Sequence, residues 1–413
     1  MKILFATTYI YRKEWPEFTR NRTGFGIMVE DIFEGVSQEN DTYLFSHVVT
    51  KGHSNVLRHT WSDIFKNAKL RDWTRGIRYF CRYKQNVKGR ARYFYYGING
   101  GAFRKAIKDI KPDVVHIHGI SIAIKTFIDV CKEENVPYVV TLHGLIGLDK
   151  TILAAKWDKD LERDFLIEAD QKNIPVTVVS SGMKKRIEEN YLHHISSNIE
   201  VICNGTKIPF KEEVLNIDEL DIRKAYGLKA EEKIIVVVGS ICERKNQVQI
   251  ISALATGKVT EPYQMFFCGA DTTNGQLETA IQKAGLQKKV HFLGFLPHQS
   301  VELLLQQADL NVVASKDEGF GLSIIEAFAF GVPTVTFADL DSVSDLFDAN
   351  AMVLVPERDD VSLANGINAG LKINWNRAWI EEYSKRFSID KIISNYMEEY
   401  RQTLVREGGD INC

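Results

Sequence analysis

Short apolar runs alternate with stretches whose apolar positions recur every three or four residues, nearly from end to end of the chain. The first pattern predicts buried strands and the second amphipathic helices. In the first half, strands are expected at Lys2 to Ala6, Thr42 to His47, Asp113 to Ile117, Tyr138 to Leu142, Val176 to Val179 and Ile199 to Ile202. Helices are expected at Gly26 to Val36 and Ile122 to Lys132, and Pro112 and Pro137 punctuate the chain just before strands. The pattern then restarts. Strands are expected at Ile234 to Val238, Gln264 to Cys268, Lys289 to Leu293, Leu310 to Ala314, Thr334 to Phe337 and Met352 to Val355. Helical segments fall between them, at Asn246 to Ala255, Gln276 to Ala284, Ser300 to Gln307, Ile324 to Phe330 and Val361 to Leu371. Such alternation argues for parallel sheets covered by helices on both faces. Two blocks of it predict two doubly wound α/β domains, 1–205 and 206–385, joined through the polar stretch from Asn204 to Asp221. A last helical pattern, Ile389 to Val405, is expected to return to the first domain from a tail covering 386–413.

The 413 residues suffice for two domains with cores of their own. A net charge of −2 gives no global pull toward nucleic acid. No apolar run approaches the ~20 residues of a membrane span. The six cysteines are scattered without a Cys-x-x-Cys pair, which suits a reducing, cytoplasmic setting and excludes a cysteine metal site.

The most informative chemistry lies in Glu318-Gly319-Phe320-Gly321-Leu322-Ser323-Ile324-Ile325-Glu326, between an apolar strand and an apolar helix. Its glycines allow close backbone approach, and a helix start attracts an anion such as phosphate. Carboxylates repel phosphate but accept strongly from hydroxyls. A ligand with a central diphosphate and hydroxylated rings at both ends fits this layout, as a sugar nucleotide does. In α/β sheets such ligands sit at the carboxyl ends of strands, and two domains facing each other with those ends would enclose one central cleft.

Taken together, these motifs resemble the retaining family four group of glycosyltransferases, which have the GT-B fold. Glu318-x7-Glu326 carries most of the likeness, continued by Gly331-Val332-Pro333. Gly239-Ser240-Ile241-Cys242-Glu243-Arg244-Lys245-Asn246 resembles the group's diphosphate-binding turn, with Ser240 where the group often has Arg. Asp113 to His118 and Thr141-Leu142-His143-Gly144 resemble its two His-bearing strand ends. The resemblance implies that Lys245, with Arg244, meets charge developing on the departing diphosphate. It assigns Glu318 to hydroxyls of the transferred sugar, Glu326 to the ribose, His143 to the donor sugar and Phe295 to the nucleobase. Gly239, Ser240, Phe320, Gly321, Leu322 and Ser323 complete the donor site, and backbone N–H groups of Gly24 and Gly26 are expected at the diphosphate or acceptor. No resident cofactor is implied. The co-substrate is a UDP- or GDP-linked sugar, and catalysis is expected to need no metal. Asp339-Leu340-Asp341 follows the wrong strand for a metal site and reads as a solvated turn.

His116 and His118 share a strand face, and His118 is expected to border the acceptor. From Arg58 to Arg92 eleven basic residues interleave with Trp61, Phe65, Trp73, Tyr79, Phe80 and Tyr83. That pattern suits an anionic membrane surface, so Arg71, Arg75, Arg78 and Arg82 are expected to face a lipid-linked oligosaccharide at the inner membrane face. Partners are therefore a nucleotide sugar and a glycan or lipid-linked acceptor, with no nucleic acid. The competing readings are a dinucleotide oxidoreductase, an inactive nucleotide-sugar-binding subunit, and an epimerase or phosphorylase on the same fold. The first lacks Gly-x-Gly-x-x-Gly directly after a strand.

Overall fold

A computed structural model describes residues 1–11, 23–47, 55–82, 86–149, 151, 154–207, 221–406 and 408. The chain divides into two compact units, Met1–Asn204 with Ile389–Cys413, and Gly205–Ser388. Most of the expected inter-domain stretch, 208–220, lies outside the described residues, as do Tyr83 and Lys84 of the basic segment.

The first unit is built on strands β1 (Lys2–Thr7), β2 (Asp41–Ser46), β3 (Val114–His118), β4 (Tyr138–Leu142), β5 (Val176–Val178) and β6 (Ile199–Val201). They form one sheet in the order β2-β1-β3-β4-β5-β6, with every pairing parallel. Its helices are α1 (Gly24–Ser37), α2 (Trp61–Asn67), α3 (Leu70–Arg82), α4 (Val87–Ile98), α5 (Gly100–Ile110), α6 (Ile122–Glu134), α7 (Lys156–Gln171) and α8 (Ser181–Ile187). Strands buried on both faces need apolar side chains throughout, and Ile3, Leu4, Phe5 and Ala6 have no exposed surface.

The second unit repeats the plan with β7 (Lys233–Val238), β8 (Tyr263–Cys268), β9 (Val290–Phe292), β10 (Leu310–Val313), β11 (Thr334–Phe337) and β12 (Met352–Val355). They lie in the order β12-β11-β10-β7-β8-β9, again all parallel. Its helices are α9 (Ile222–Ala225), α10 (Gln247–Ala255), α11 (Gln276–Lys283), α12 (His298–Gln307), α13 (Leu322–Ala329), α14 (Val343–Leu346), α15 (Asp360–Lys372) and α16 (Arg377–Ser384). The terminal helix α17 (Ile389–Arg406) packs in the first unit. It lies so close to α1 that a Cβ on Gly35 would fall 1.7 Å from Ile393 Cδ1.

Each sheet has one switch point, where successive strands begin to add on the opposite side. In the first it lies between β1 and β3, and in the second between β7 and β10. These positions place the chemistry described below.

Helices α2 to α5 correct the expectation for the basic segment. Arg75 is buried and bonds Asp72 at 2.8 Å and Glu133 at 2.6 Å, and Arg71 bonds Glu133 at 2.7 Å and Glu134 at 3.0 Å. Buried Arg104 on α5 joins Asp72, Glu133 and Glu134 at 2.5 to 2.6 Å. Arg71 and Arg75 therefore tie α3 to α6 rather than reaching an acceptor. Helices α3 and α4 cross at Gly76 and Gly97, where a Cβ on Gly97 would lie 2.5 Å from Gly76 Cα. Removing one partner of such a network strands buried charge. Arg104→Met should lower unfolding stability by about 3 kcal/mol in urea titrations, and an unchanged midpoint would contradict this account.

Candidate active site

In the second unit, β7 and β10 are hydrogen-bonded neighbours, so the turns at their carboxyl ends meet. Gly239 ends β7 with φ +135°, a value that suits glycine. The following turn closes through Gln247, which donates to Ser240 O at 2.9 Å and accepts from the Cys242 N–H at 3.3 Å. Asn246 takes a left-handed φ of 56° and donates to Ala314 O at 3.3 Å. The Lys316 N–H donates to Arg244 O at 2.7 Å. The two turns are thus bound through their backbones, and their side chains converge.

That convergence centres on Glu318, which is only 8% exposed. Lys245 Nζ forms an ion pair with Glu318 Oε2, Ser315 Oγ donates to the same oxygen at 3.1 Å, and Arg244 Nη1 lies 3.6 Å from it. Burial alone would raise the Glu318 carboxyl. The charges of Lys245 and Arg244, with hydrogen bonds from Lys245 and Ser315, outweigh it and hold the group below its ordinary value. Arg244 also donates to Asp317 O at 3.1 Å.

Gly321, with φ +86°, turns the chain into α13. Leu322 starts that helix, and Ser323 is buried with a hydroxyl that has no partner among the described residues. Glu326 stands half-buried one turn on. The Phe320 side chain departs from expectation. It is 2% exposed and faces Phe387 at 6.0 Å, so only its backbone is placed for a ligand. Phe295 is 56% exposed beyond β9. Arg358 was not legible in the sequence. It donates to Ser315 O at 2.9 Å and to Asp339 at 2.7 Å, and lies over the Phe337 ring at 4.5 Å. Its contacts run from β12 to β10 and β11, a proximity that no local motif records.

In the first unit, β3 and the residue after β4 bring three histidines together. His116 Nε2 is 2.7 Å from Thr141 Oγ1, and its Nδ1 is 2.6 Å from the Tyr400 hydroxyl on α17. His118 Nδ1 is 3.1 Å from His143 Nε2. The His118 side chain is entirely buried, which corrects its expected place at the acceptor: it packs against Phe5 and supports His143 from behind. Part of His143 reaches the surface, yet its ring is enclosed deeply enough that lost hydration lowers its pKa to about 4. Phe25 on α1 sets its edge against His143 at 5.1 Å, which brings the glycine turn beside it. The Gly26 N–H is already used, donating to the Thr23 cap at 3.1 Å, so Gly26 offers no free donor for a diphosphate. Gly24 is exposed at the helix start. Glu162 on α7 was also not legible. Nearly buried, it accepts from the Ile146 N–H at 2.7 Å and the Gly147 N–H at 2.9 Å, fixing the loop that follows His143. Among the described residues no group of three or more His, Cys, Asp or Glu could hold a metal ion.

Residues 218–387 match the family "Glycosyl transferases group 1", and residues 46–208 match "Glycosyltransferase Family 4". The chain belongs to this family of transferases. It is 26% identical to an uncharacterized glycosyltransferase of Methanocaldococcus jannaschii over 70% of this chain and 75% of that protein. It is 23% identical to a GDP-mannose:cellobiosyl-diphosphopolyprenol alpha-mannosyltransferase of Xanthomonas campestris, over 74% and 76%. The Anabaena protein HepE, solved in complex with UDP and glucose, superposes with a TM-score of 0.68 at 18% identity, covering 97% of this chain and all of that one. The fold is GT-B.

His143 and two further histidines, His47 at about 3 and His59 at about 4, are lowered by burial. Unfolded histidine titrates near 6.5, so between that pH and about 4 the unfolded chain binds more protons. The stability these groups contribute is complete above pH 6.5 and is lost as pH falls through their folded values. Urea titrations should show stability declining from about pH 6.5 downward, and a flat profile between pH 7 and 5 would contradict the burial of these rings.

Proposed function

We propose that this glycosyltransferase moves a sugar from a UDP- or GDP-linked donor to a glycan or lipid-linked acceptor, with retention of configuration and no metal requirement. The observation that carries this reading is the contact between Lys245 and the buried, ionised Glu318 at a strand-order switch point. A glycosyl phosphate joins an anion to a polyol through one oxygen. A cation touching a carboxylate matches that junction, with Lys245 toward the phosphate and Glu318 toward a ring hydroxyl. The Ser323 hydroxyl and the start of α13 supply further donors for an anion.

Cleavage of the glycosyl–oxygen bond leaves negative charge on the diphosphate. Lys245 and Arg244 stabilise that charge more than the ground state, which is the part of the barrier a side chain can remove. The departing phosphate oxygen takes the acceptor's proton on the same face, so no paired nucleophile and acid are needed. His143 is neutral and binds a hydroxyl rather than acting as a base. The HepE complex with UDP and glucose supports the donor class, and the diphosphopolyprenol named for the Xanthomonas relative supports a lipid-linked acceptor. On this reading the enzyme works in the cytoplasm, at the inner membrane face, in surface polysaccharide or lipopolysaccharide assembly.

A thermal-shift panel of UDP, GDP, ADP and CDP, with and without EDTA, tests the donor. One nucleotide should raise Tm, insensitively to chelator, and failure of all four would overturn the reading. Lys245→Ala should lower kcat by about 10²–10³ and also lower unfolding stability, because Glu318 loses its contacting cation. A loss confined to KM would instead make Lys245 a uniform binding contact.

A further inference from the structure

With His118, Arg71 and Arg75 turned inward, other side chains border the loop beyond His143. Helix α7 follows β4 and precedes its parallel neighbour β5. It therefore runs back along the sheet from the carboxyl ends of the strands, and its first turn lies at the same end as His143. The residues that α7 buries, Glu162, Phe165, Leu166 and Ala169, form one stripe at helical spacing. Continued one turn toward the helix start, that stripe reaches Asp158. Glu162 accepts from the Ile146 and Gly147 N–H groups, in the loop just past His143. Asp158 stands on the same face as Glu162, about 6 Å nearer the helix start along the axis.

The nearby acids of α7 are paired. Asp160 meets Lys156 at 2.9 Å and Arg163 at 3.3 Å, and Asp164 meets Arg163 at 2.8 Å. The Asp158 carboxylate is half-buried and has neither an ion pair nor a hydrogen bond among the described residues. Burial alone acts on it and pushes it above the ordinary carboxylate range. It has lost part of its water, and no donor in the fold replaces that water. Beside it the surface is aromatic. Trp157 sets its ring against Tyr93 of α4 at 5.2 Å, Tyr93 meets Tyr96 at 5.9 Å, and Tyr96 meets His47, the residue after β2, at 4.8 Å. These partly exposed rings run from the start of α7 to the carboxyl end of β2, along one end of the sheet. Aromatic walls with a few placed polar groups are the common make-up of small-ligand sites.

We propose that Asp158 is a substrate-binding residue: its carboxylate accepts a hydrogen bond from a hydroxyl of the acceptor sugar, whose ring packs on Trp157 and Tyr93. This rests on the transfer reading given above. A carboxylate without a donor is matched by a hydroxyl and repels phosphate. The negative face of an aromatic ring suits the C–H side of a sugar ring. Asp158 binds in this role and moves no proton.

The test titrates the full chain with methyl glycosides of glucose, galactose, mannose and N-acetylglucosamine, read by saturation-transfer NMR, alongside the nucleotide thermal shift on the same samples. At least one glycoside should bind. Asp158→Asn should weaken it by about tenfold, the worth of a hydrogen bond to a charged group, and Trp157→Ala should weaken it as well. Both variants should keep the nucleotide shift. The urea midpoint separates this role from support of the helix start, where an acid is favourable. A half-buried carboxylate without a partner costs stability, so Asp158→Asn should leave the midpoint unchanged or raise it. A lowered midpoint with unchanged glycoside binding would make Asp158 a helix-start residue and overturn the proposal. Wild-type protein that binds no glycoside while keeping the nucleotide shift would overturn the subsite and leave the transfer reading intact; glycoside binding that depends on Asp158 without any nucleotide shift would do the reverse.

Discussion

A carboxylate taken almost out of water is costly unless a cation goes with it. Glu318 meets that condition through Lys245, with Arg244 and Ser315 completing its surroundings. The constraint is mutual. Lys245 is held by a turn that closes on Gln247 and Asn246, and Glu318 by a loop anchored from behind by Arg358. The backbone bond from Lys316 to Arg244 O fixes the distance between the two turns. The charged centre is thereby set by the sheet, because the turns belong to strands that become neighbours where the strand order reverses. Charge held by fixed backbone contacts in this way is preorganised.

The first unit uses a different electrostatic regime. His116, His118 and His143 all sit well below the ordinary imidazole range because burial disfavours their charged forms, and neighbouring rings add to the effect for His116 and His118. Neutral imidazoles hydrogen-bonded to Thr141, Tyr400 and one another make a rigid, uncharged wall. Glu162 gives the loop beyond His143 a fixed shape through two backbone N–H groups. The second unit thus carries a charged centre and the first a neutral one.

The helical insertion shows how composition can mislead about direction. Basic residues interleaved with aromatics put Arg71 and Arg75 on a surface, whereas both are tied to acids of α6. Arg71 and Arg75 turn inward because α6 presents Glu133 and Glu134 to them, while Arg78, Arg82 and Arg92 meet no such acids. The relevant carboxylates lie some sixty residues away in the chain, beyond any window of sequence.

The fold and its family were legible from the residues. Apolar runs marked the strands and period-3.6 patterning the helices, because central strands such as β3 and β4 are buried along their whole length and so must be largely apolar. The glycine turns, Lys245 and the Glu318-x7-Glu326 spacing were legible because their geometry is local. Helix α7 was harder to read, since Leu161, Phe165 and Leu166 stand among many charged positions. Tertiary structure alone decided that Phe320 points into the core, that Thr23 occupies the Gly26 N–H, and that His118 serves His143 instead of an acceptor. It also decided that Arg358 and Glu162 brace the two sites. Sequence fixes what each residue can offer and its spacing along an element. Which groups become partners depends on burial and on contacts between distant segments, and those exist only once the sheets have formed.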